Sequence, residues 1–196
     1  MSNLFQTLEM EAFRKGITPR TAESRDWFRK KAQSLRRVNR NTIMKEDPIE
    51  LKSTFQPGAM AMFFYNPKTK DKLPYYDSFP LTVVVDKAPG GFYGLNLHYL
   101  PPMLRAKFLD VLLDNTNNKY YDETTRLKMN YQTLASATKF KEFKPCIKHY
   151  LTGQMRSRLI YINPTEWDVA LFLPTARFVG ATQAQVFKDS RKIIRG

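Results

Sequence analysis

The sequence predicts an α+β fold: a small antiparallel β-sheet, open or closed as a barrel, with inserted helices, a basic N-terminal helical arm and a basic C-terminal helix. Three observations lead to this prediction. Short apolar runs bounded by proline and glycine occupy the first half of the core, as strands do. Beyond Pro101 the apolar spacing changes to about 3.6 residues, the period of a helix. The chain closes with two patterns typical of helix starts.

The N-terminal arm is recognised by its charge and by one narrow apolar stripe. Residues 21–40 read TAESRDWFRKKAQSLRRVNR, in which arginine and lysine surround the stripe. The stripe consists of Trp27, Phe28, Leu35 and Val38. This pattern predicts a helix that docks by its stripe and presents charge outward, with Trp27 and Phe28 as anchors for a partner. A proline-containing connector follows, so we expect arm and connector in residues 1–54 and the core domain in residues 55–196.

Strands are predicted next along the chain. AMAMFFY from Ala59 is apolar on both faces, which indicates a covered strand. LTVVVD and FYGLNLHYL then form an antiparallel hairpin, in which Pro89 and Gly90 suit the centre of a type II turn. Gly94 inside a strand indicates a bulge or a close backbone approach. RSRLIYIN from Arg156 is the last predicted strand.

The helices of the core are predicted from their first residues. One begins at Pro101 or Pro102, a second is capped by Asp122, and a short third begins at Pro145. Two capping patterns start the remaining helices. They pair Asn163 with Glu166 and Thr182 with Gln185.

The charge points to a polyanionic partner. The net charge is +14 and the pI is about 9.9, and nucleic acid is the commonest partner of so basic a chain, with an acidic protein surface or an anionic membrane as alternatives. Basic residues concentrate in residues 14–40, in residues 139–158 and from Gln185 onward. Such side chains neutralise phosphates without reading sequence. The candidate DNA contacts are Arg25, Arg29, Lys30, Arg36, Arg37, Arg40, Lys148, Arg156, Arg158, Lys188, Arg191 and Lys192.

Tyr75 and Tyr76 complete the candidate partner-binding residues. They lie in LPYYDSFPL, an aromatic and proline-rich stretch just before the hairpin. Exposed tyrosines can stack on unpaired bases, whereas packing in the core or at a subunit interface is the competing interpretation.

The inventory of chemically reactive residues is small, and we expect neither a catalytic site nor a metal or cofactor. The chain has one cysteine, Cys146, and two histidines, His98 and His149, whereas a zinc site needs about four closely spaced ligands. The alternative is a metal-dependent nuclease built on Glu142 and Lys144, which have the E-x-K spacing. The single cysteine favours a reducing compartment, and no apolar run of about 18 residues predicts a membrane span.

Four segments carry a resemblance to a known family. They are PGAMAMFFYNPKTKDKLPYYDSFPL from Pro57, GFYGLNLHYLPPMLRAKFLD from Gly91, KPCIKHYLTGQMRSRLIYINPTEWDVALFLP from Lys144 and FKDSRK from Phe187. Together they resemble small virion proteins of contractile-tailed phages of the T-even type, known as DNA end protector or head-completion proteins. The resemblance covers roughly residues 57 to 192 and leaves the arm out.

The resemblance implies a non-enzymatic virion protein, assembled in the host cytoplasm, that binds double-stranded DNA at its end or at the head–tail channel. It also implies other virion proteins as partners, namely portal, neck, tail or baseplate subunits, and an oligomer within the particle. A purely structural tail, neck or baseplate component is the alternative, and the nuclease is the third hypothesis.

Overall fold

The computed structural model describes residues 4–18, 21–35, 38–45, 50–52, 56–116 and 141–196. Helices and strands are mixed along the chain, which confirms the predicted α+β class. The helices are α1 (Leu4–Arg14), α2 (Ala22–Ser34), α3 (Arg40–Lys45), α4 (Pro102–Thr116), α5 (Trp167–Phe172) and α6 (Gln183–Arg195). The strands are β1 (Glu50–Lys52), β2 (Met60–Met62), β3 (Tyr76–Asp77), β4 (Leu81–Ala88), β5 (Gly91–Asn96), β6 (Ile147–Leu151), β7 (Leu159–Ile162) and β8 (Phe178–Val179).

Six of these strands form one antiparallel sheet in the order β1-β7-β2-β4-β5-β6. Within the described residues β1 and β6 are its two edges, so the sheet is open and not closed as a barrel. The short strands β3 and β8 pair separately, through Tyr76 with Val179 and Asp77 with Phe178. This second sheet brings the segment before the hairpin against the segment before the C-terminal helix.

The β4–β5 hairpin has the predicted turn and the predicted irregularity. Gly90 has a φ of 70°, the left-handed conformation that a type II turn requires after Pro89. The register shifts between Val84 and Asp86, opposite Gly94. This shift is a β-bulge, and a bulge increases the local twist of the strand that carries it.

The two faces of the large sheet are buried in different ways. One face packs against the helices, and the other carries an aromatic cluster. The helix-covered face consists of Met60, Met62, Leu81, Val83, Val85, Leu95, Ile160 and Ile162, packed with Phe5, Leu8, Phe28, Phe108, Leu109, Trp167, Leu171 and Val186. The aromatic cluster consists of Phe63, Tyr65, Phe92 and Tyr150, whose contacting rings have centroids 4.9 to 6.1 Å apart.

The N-terminal helices share this core. Phe5 of α1 and Phe28 of α2 are buried within it at 1% and 6% exposure. β1 also pairs with β7 in the large sheet. The first described residues are therefore held to the rest of the chain by apolar packing and by backbone hydrogen bonds.

Two helix predictions need correction, and one lies outside the described residues. The predicted helix from Pro145 is wrong, because a 3-10 turn, Lys141–Cys146, leads directly into strand β6. β6 forms backbone hydrogen bonds along the whole of β5, and this tertiary pairing overrides the local helical spacing. The helix predicted through residue 40 ends at Ser34, and α3 begins separately at Arg40. The helix that Asp122 would cap lies outside the described residues.

The starts of the last two helices differ in how closely they follow the prediction. Thr182 caps α6 as predicted, because its hydroxyl accepts a hydrogen bond from the Gln185 backbone N–H at 3.3 Å. The Gln185 side chain donates to Asp189 at 2.9 Å and does not complete the reciprocal half of the predicted capping pattern. The prediction that Asn163 and Glu166 cap the other helix is wrong. A 3-10 turn, Pro164–Glu166, precedes α5, and Glu166 is its N-cap residue without a side-chain capping hydrogen bond.

The close approach of β5 and β6 yields a test of the fold. A Cβ atom on Gly91 would lie 1.8 Å from the Tyr150 carbonyl oxygen, so Gly91→Ala must displace the edge strand. We expect the free energy of unfolding to fall by about 1–3 kcal/mol or more, the cost of overpacking, as measured by urea denaturation.

Gly153→Ala is the matched control, because a Cβ atom there meets no atom within 4 Å. We expect its stability to stay within about 0.5 kcal/mol of the original chain. Equal stability of the two variants would contradict the close packing of β5 on β6.

Candidate nucleic-acid interface

A buried carboxylate organises the region between the two sheets. Asp77 Oδ1 accepts hydrogen bonds from the backbone N–H groups of Phe79 at 3.0 Å and Arg177 at 3.2 Å. Its Oδ2 accepts from Asn96 Nδ2 at 3.1 Å and lies 2.6 Å from His98 Nδ1. Burial by itself raises the pKa of Asp77, but the His98 ring and these hydrogen bonds hold the pKa below its ordinary value. The carboxylate is therefore ionised and fully satisfied.

His98 is a structural histidine. Its side chain is completely buried, and burial lowers its pKa, although the adjacent Asp77 opposes the shift. Nε2 lies 3.2 Å from Thr175 Oγ1. The neutral ring donates to Asp77 and accepts from Thr175, so it joins the segment after β5 to the segment before β8.

Two arginines in this region bind backbone carbonyls. Arg105 of α4 is 3% exposed and donates to the carbonyls of Leu100 at 2.7 Å, Leu171 at 3.0 Å and His98 at 3.3 Å. Burial lowers its pKa to about 10. Because three carbonyls satisfy the guanidinium, Arg105 holds α4 to α5 and to the turn after β5.

Arg40, a predicted DNA contact, has a similar structural role. Its guanidinium donates to the carbonyls of Thr175 and Ala176, both at 2.7 Å. Burial lowers its pKa. The prediction that Arg40 is a free phosphate contact does not fit this geometry, since its Nε and Nη2 are directed at the protein backbone.

A cleft of about 340 Å³ lies beside this buried network, between the segment from Tyr65 to Tyr76 and the edge strand β6. One wall carries tyrosine rings and the rim carries lysines. The lining residues are Tyr65, Pro67, Lys68, Thr69, Leu73, Tyr75, Tyr76, Asp77, Asn96, Tyr99, Lys148, His149, Tyr150 and Leu151. The structure thus brings the predicted tyrosine pair, Tyr75 and Tyr76, together with Lys148, which the sequence predicts separately as a DNA contact.

Lys148 is the cation of this cleft. It is half-buried, and its Nζ lies 4.0 Å from the centre of the Tyr99 ring, a cation–π contact. Burial lowers its pKa, and none of the described carboxylates forms an ion pair with it. A desolvated ammonium beside an aromatic wall favours an anionic ligand.

Sequence reasoning misses two contributors to the cleft, Lys68 and Tyr99. Lys68 opens the run KTKDK, whose charges lie outside the three basic segments identified from composition. The sequence does contain a pattern that could have identified Lys68 as a binding residue: three lysines within five residues, followed closely by two tyrosines. Tyr99 carries no such signal, because its position under Lys148 depends on the pairing of β5 with β6.

The basic face of α2 is partly neutralised within the chain. Asp26 pairs with Arg29 and with Lys30, the latter at 2.7 Å, and its pKa is lowered by these two partners. Arg25 and Arg29 also line a groove of about 390 Å³ with Lys107 of α4. Exposed ion pairs of this kind are weak, so these side chains can exchange Asp26 for a phosphate.

The two anchors predicted on α2 have different environments. Phe28 is buried in the core, and so the prediction that it contacts a partner does not fit the structure. Trp27 is half-buried, packs edge-on against Phe28 with ring centroids 5.0 Å apart, and has Lys15 over its ring. Arg36 and Arg37, the remaining predicted DNA contacts of this segment, lie outside the described residues.

The C-terminal helix α6 presents one continuous basic stripe. Its exposed cations stand at positions i, i+3, i+4 and i+7, which lie on one face of a helix. They are Lys188, Arg191, Lys192 and Arg195. Asp189 is 3.9 Å from Lys192 and offsets one of these charges in part. Arg156 and Arg158 are exposed on the connection between β6 and β7.

The nuclease hypothesis finds no support in this geometry. Glu142 and Lys144 lie on a 3-10 turn and not on a strand. Across the part of the chain that the structure describes, no three histidine, cysteine or acidic side chains come together to hold a metal ion. Cys146 is buried, and burial raises the pKa of its thiol to about 12, so it is protonated at neutral pH.

Fold and surface together define a class of protein: a basic α+β protein with a stripe of cations on α6 and an aromatic cleft whose ammonium pairs with none of the described carboxylates. The chain belongs to the family of the Phage T4 terminal DNA protecting protein, whose family model matches residues 5–194. The match includes the N-terminal helices, which the resemblance seen in the sequence leaves out. Searches of curated proteins and of solved structures gave no match.

No helix among the described residues has both the length and the apolar character needed to cross a membrane.

Asp77 provides a test of the buried network that shapes the cleft. Asp77→Ala leaves the donors of His98 and Asn96 buried without an acceptor. We expect the free energy of unfolding to fall by several kcal/mol, about 1–3 kcal/mol for each buried donor left unpaired, as measured by urea denaturation at pH 7.

Asp71→Ala is the control, because this carboxylate is exposed in the same segment of the chain. We expect a change within about 0.5 kcal/mol. A loss of stability at Asp77 no larger than the loss at Asp71 would show that the network does not hold the cleft.

Proposed function

We propose that this protein binds the ends of double-stranded DNA without reading sequence, and that it protects or retains the packaged end within the phage particle. The observation that carries the proposal is the family match over residues 5–194, since that family is described as protecting terminal DNA. The proposed site of action is the DNA end or the head–tail channel. The action is occupancy of the end and requires no catalysis.

The charge distribution supports phosphate contact through α6. Each lysine or arginine that neutralises a phosphate releases counterions, and these contacts supply affinity for any sequence. The stripe of α6, formed by Lys188, Arg191, Lys192 and Arg195, is exposed along about two helical turns. The half-neutralised face of α2 adds Arg25, Arg29 and Lys30 as weaker contacts.

Contacts with other virion proteins complete the proposal. Portal, neck, tail or baseplate subunits are the proposed neighbours, with assembly in the host cytoplasm and an oligomer in the particle. Exposed apolar side chains on the helical side support a protein contact there. Phe13 of α1 and Met103 of α4 are 82% and 58% exposed, and Trp27 is half-buried near the same helices.

The test of end binding compares a short blunt duplex with a closed circle of equal sequence, at several salt concentrations. We expect the full-length chain to bind the open duplex more tightly, with an affinity that falls steeply as salt rises. Equal binding of the two DNAs would overturn end protection. Weak binding with little salt dependence would favour the purely structural tail or neck component.

The α6 stripe makes a separate prediction. In the variant Lys188→Ala with Arg191→Ala, the slope of log affinity against log salt for duplex DNA should flatten by about 0.9 for each phosphate that is no longer neutralised. The charge-matched control is Lys45→Ala with Lys87→Ala, since both lysines are exposed on other elements. If both double variants change the slope equally, the stripe does not bind the DNA.

A further inference from the structure

The cleft beside β6 has features that duplex binding through α6 does not use. It joins a half-buried cation, tyrosine rings and an open sheet edge in one concave site. We propose that this cleft binds the terminal nucleotide of a DNA strand, with the terminal phosphate monoester on Lys148 and the base against the tyrosine wall. This inference rests on the proposed function, because it assigns the residues that recognise the end itself.

The cation argues for phosphate. Lys148 has its ammonium over the Tyr99 ring and no described carboxylate partner, so its charge is only partly compensated. A phosphate would restore the favourable environment that burial removes. Lys68, exposed at the rim, supplies a second ammonium, and Thr69 supplies a hydroxyl. Asp77 also lines the cleft, but its carboxylate is 1% exposed and accepts all its hydrogen bonds from within the chain.

The rings argue for a base. The ring centroids of Tyr75 and Tyr99 lie 6.1 Å apart, with planes tilted by 32°. Tyr99 is 5% exposed and lies under Lys148, so the half-buried Tyr75 offers the ring on which a base can stack. Tyr76, half-buried, continues the lining. Stacking on such rings is tolerant of base identity, which suits an end of any sequence.

The dimensions and the chemistry argue for an end in preference to internal DNA. The volume of about 340 Å³ is at the small limit of ligand pockets, and it suits one nucleotide and not a duplex. A terminal monoester also carries about −1.5 to −2 charges at neutral pH, which exceeds the single charge of an internal diester. A single partly desolvated ammonium therefore favours the terminal group.

The location of the cleft connects it to the α6 stripe. Burial, followed by the nearby Asp189 carboxylate, raises the pKa of Tyr75. Asp189 lies on α6, between the stripe residues Lys188 and Arg191. In this proposal, a duplex held by phosphate contacts on α6 ends beside the tyrosine wall.

The test uses the full-length chain and one blunt duplex prepared with and without 5′-phosphates. We expect the phosphorylated duplex to bind about tenfold more tightly, the effect of a charge-assisted hydrogen bond in a partly buried site. Lys148→Met keeps most of the apolar stem and should remove this preference. The affinity for the dephosphorylated duplex should stay within about twofold, because the stripe still contacts the backbone.

Lys144→Met is the matched control, since Lys144 is an exposed lysine on the turn that precedes β6. We expect this variant to keep the preference for phosphorylated ends, and Lys148→Arg to retain part of it. If Lys148→Met does not fold, Lys68→Met at the exposed rim replaces it and should weaken the preference. If the Lys148→Met variant keeps the full preference for phosphorylated ends, the assignment is overturned. The same holds for Lys68→Met where that variant is used instead.

Failure of this inference can be told apart from failure of the proposed function. If the open duplex binds more tightly than the circle but phosphorylation makes no difference, end binding stands and the cleft assignment is overturned. If the open duplex and the circle bind equally, the proposed function fails, and the cleft assignment fails with it.

Discussion

The buried carboxylate of Asp77 is the constraint on which the rest of this structure depends. It accepts four hydrogen bonds, one from the neighbouring Phe79 and three from Asn96, His98 and Arg177, which are distant from it along the chain. An ionised group out of contact with water is tolerated only when its acceptor positions are filled, so these segments must meet in one arrangement. That arrangement places the segment from Tyr65 to Tyr76 across from β6 and thereby forms the cleft.

The basic side chains fall into two groups: some bind within the protein, and others are exposed and can contact a partner. Arg105 and Arg40 use their guanidinium groups on backbone carbonyls, where a planar group with several donors is better suited than an ammonium. Other cations are paired on α2 with Asp26. Exposed cations that remain include the stripe on α6, Lys68 at the cleft, and Arg156 and Arg158 between β6 and β7. Net charge alone therefore indicates the kind of partner, while the pairing of each side chain decides where that partner can bind.

A protein that protects a DNA end has to solve a particular recognition problem. Contacts to internal phosphates give affinity that is equal along the whole duplex, and so they cannot distinguish an end. Discrimination requires a group that only an end presents, such as an unstacked terminal base or a phosphate monoester. In our proposal, the exposed stripe on α6 supplies the contacts to internal phosphates, and the small cleft at the sheet edge recognises the end. The open edge at β6 supplies the cleft without disturbing the core, because β6 pairs on one side only within the described residues.

The sequence by itself determined the α+β class, the β4–β5 hairpin with its Pro89–Gly90 turn, the Thr182 cap of α6 and the basic stripe that follows it, because each depends on local conformational preference or spacing. It also pointed to the virion family through motifs that span the core. Only the tertiary structure decided that the segment after Pro145 is a strand, that Phe28 and Arg40 face inward, and that Tyr75, Tyr76 and Lys148 share one cleft. The physical reason is that these outcomes depend on partners distant in the chain. β6 exists because β5 offers its edge, and Lys148 is half-buried because Tyr99 lies beneath it.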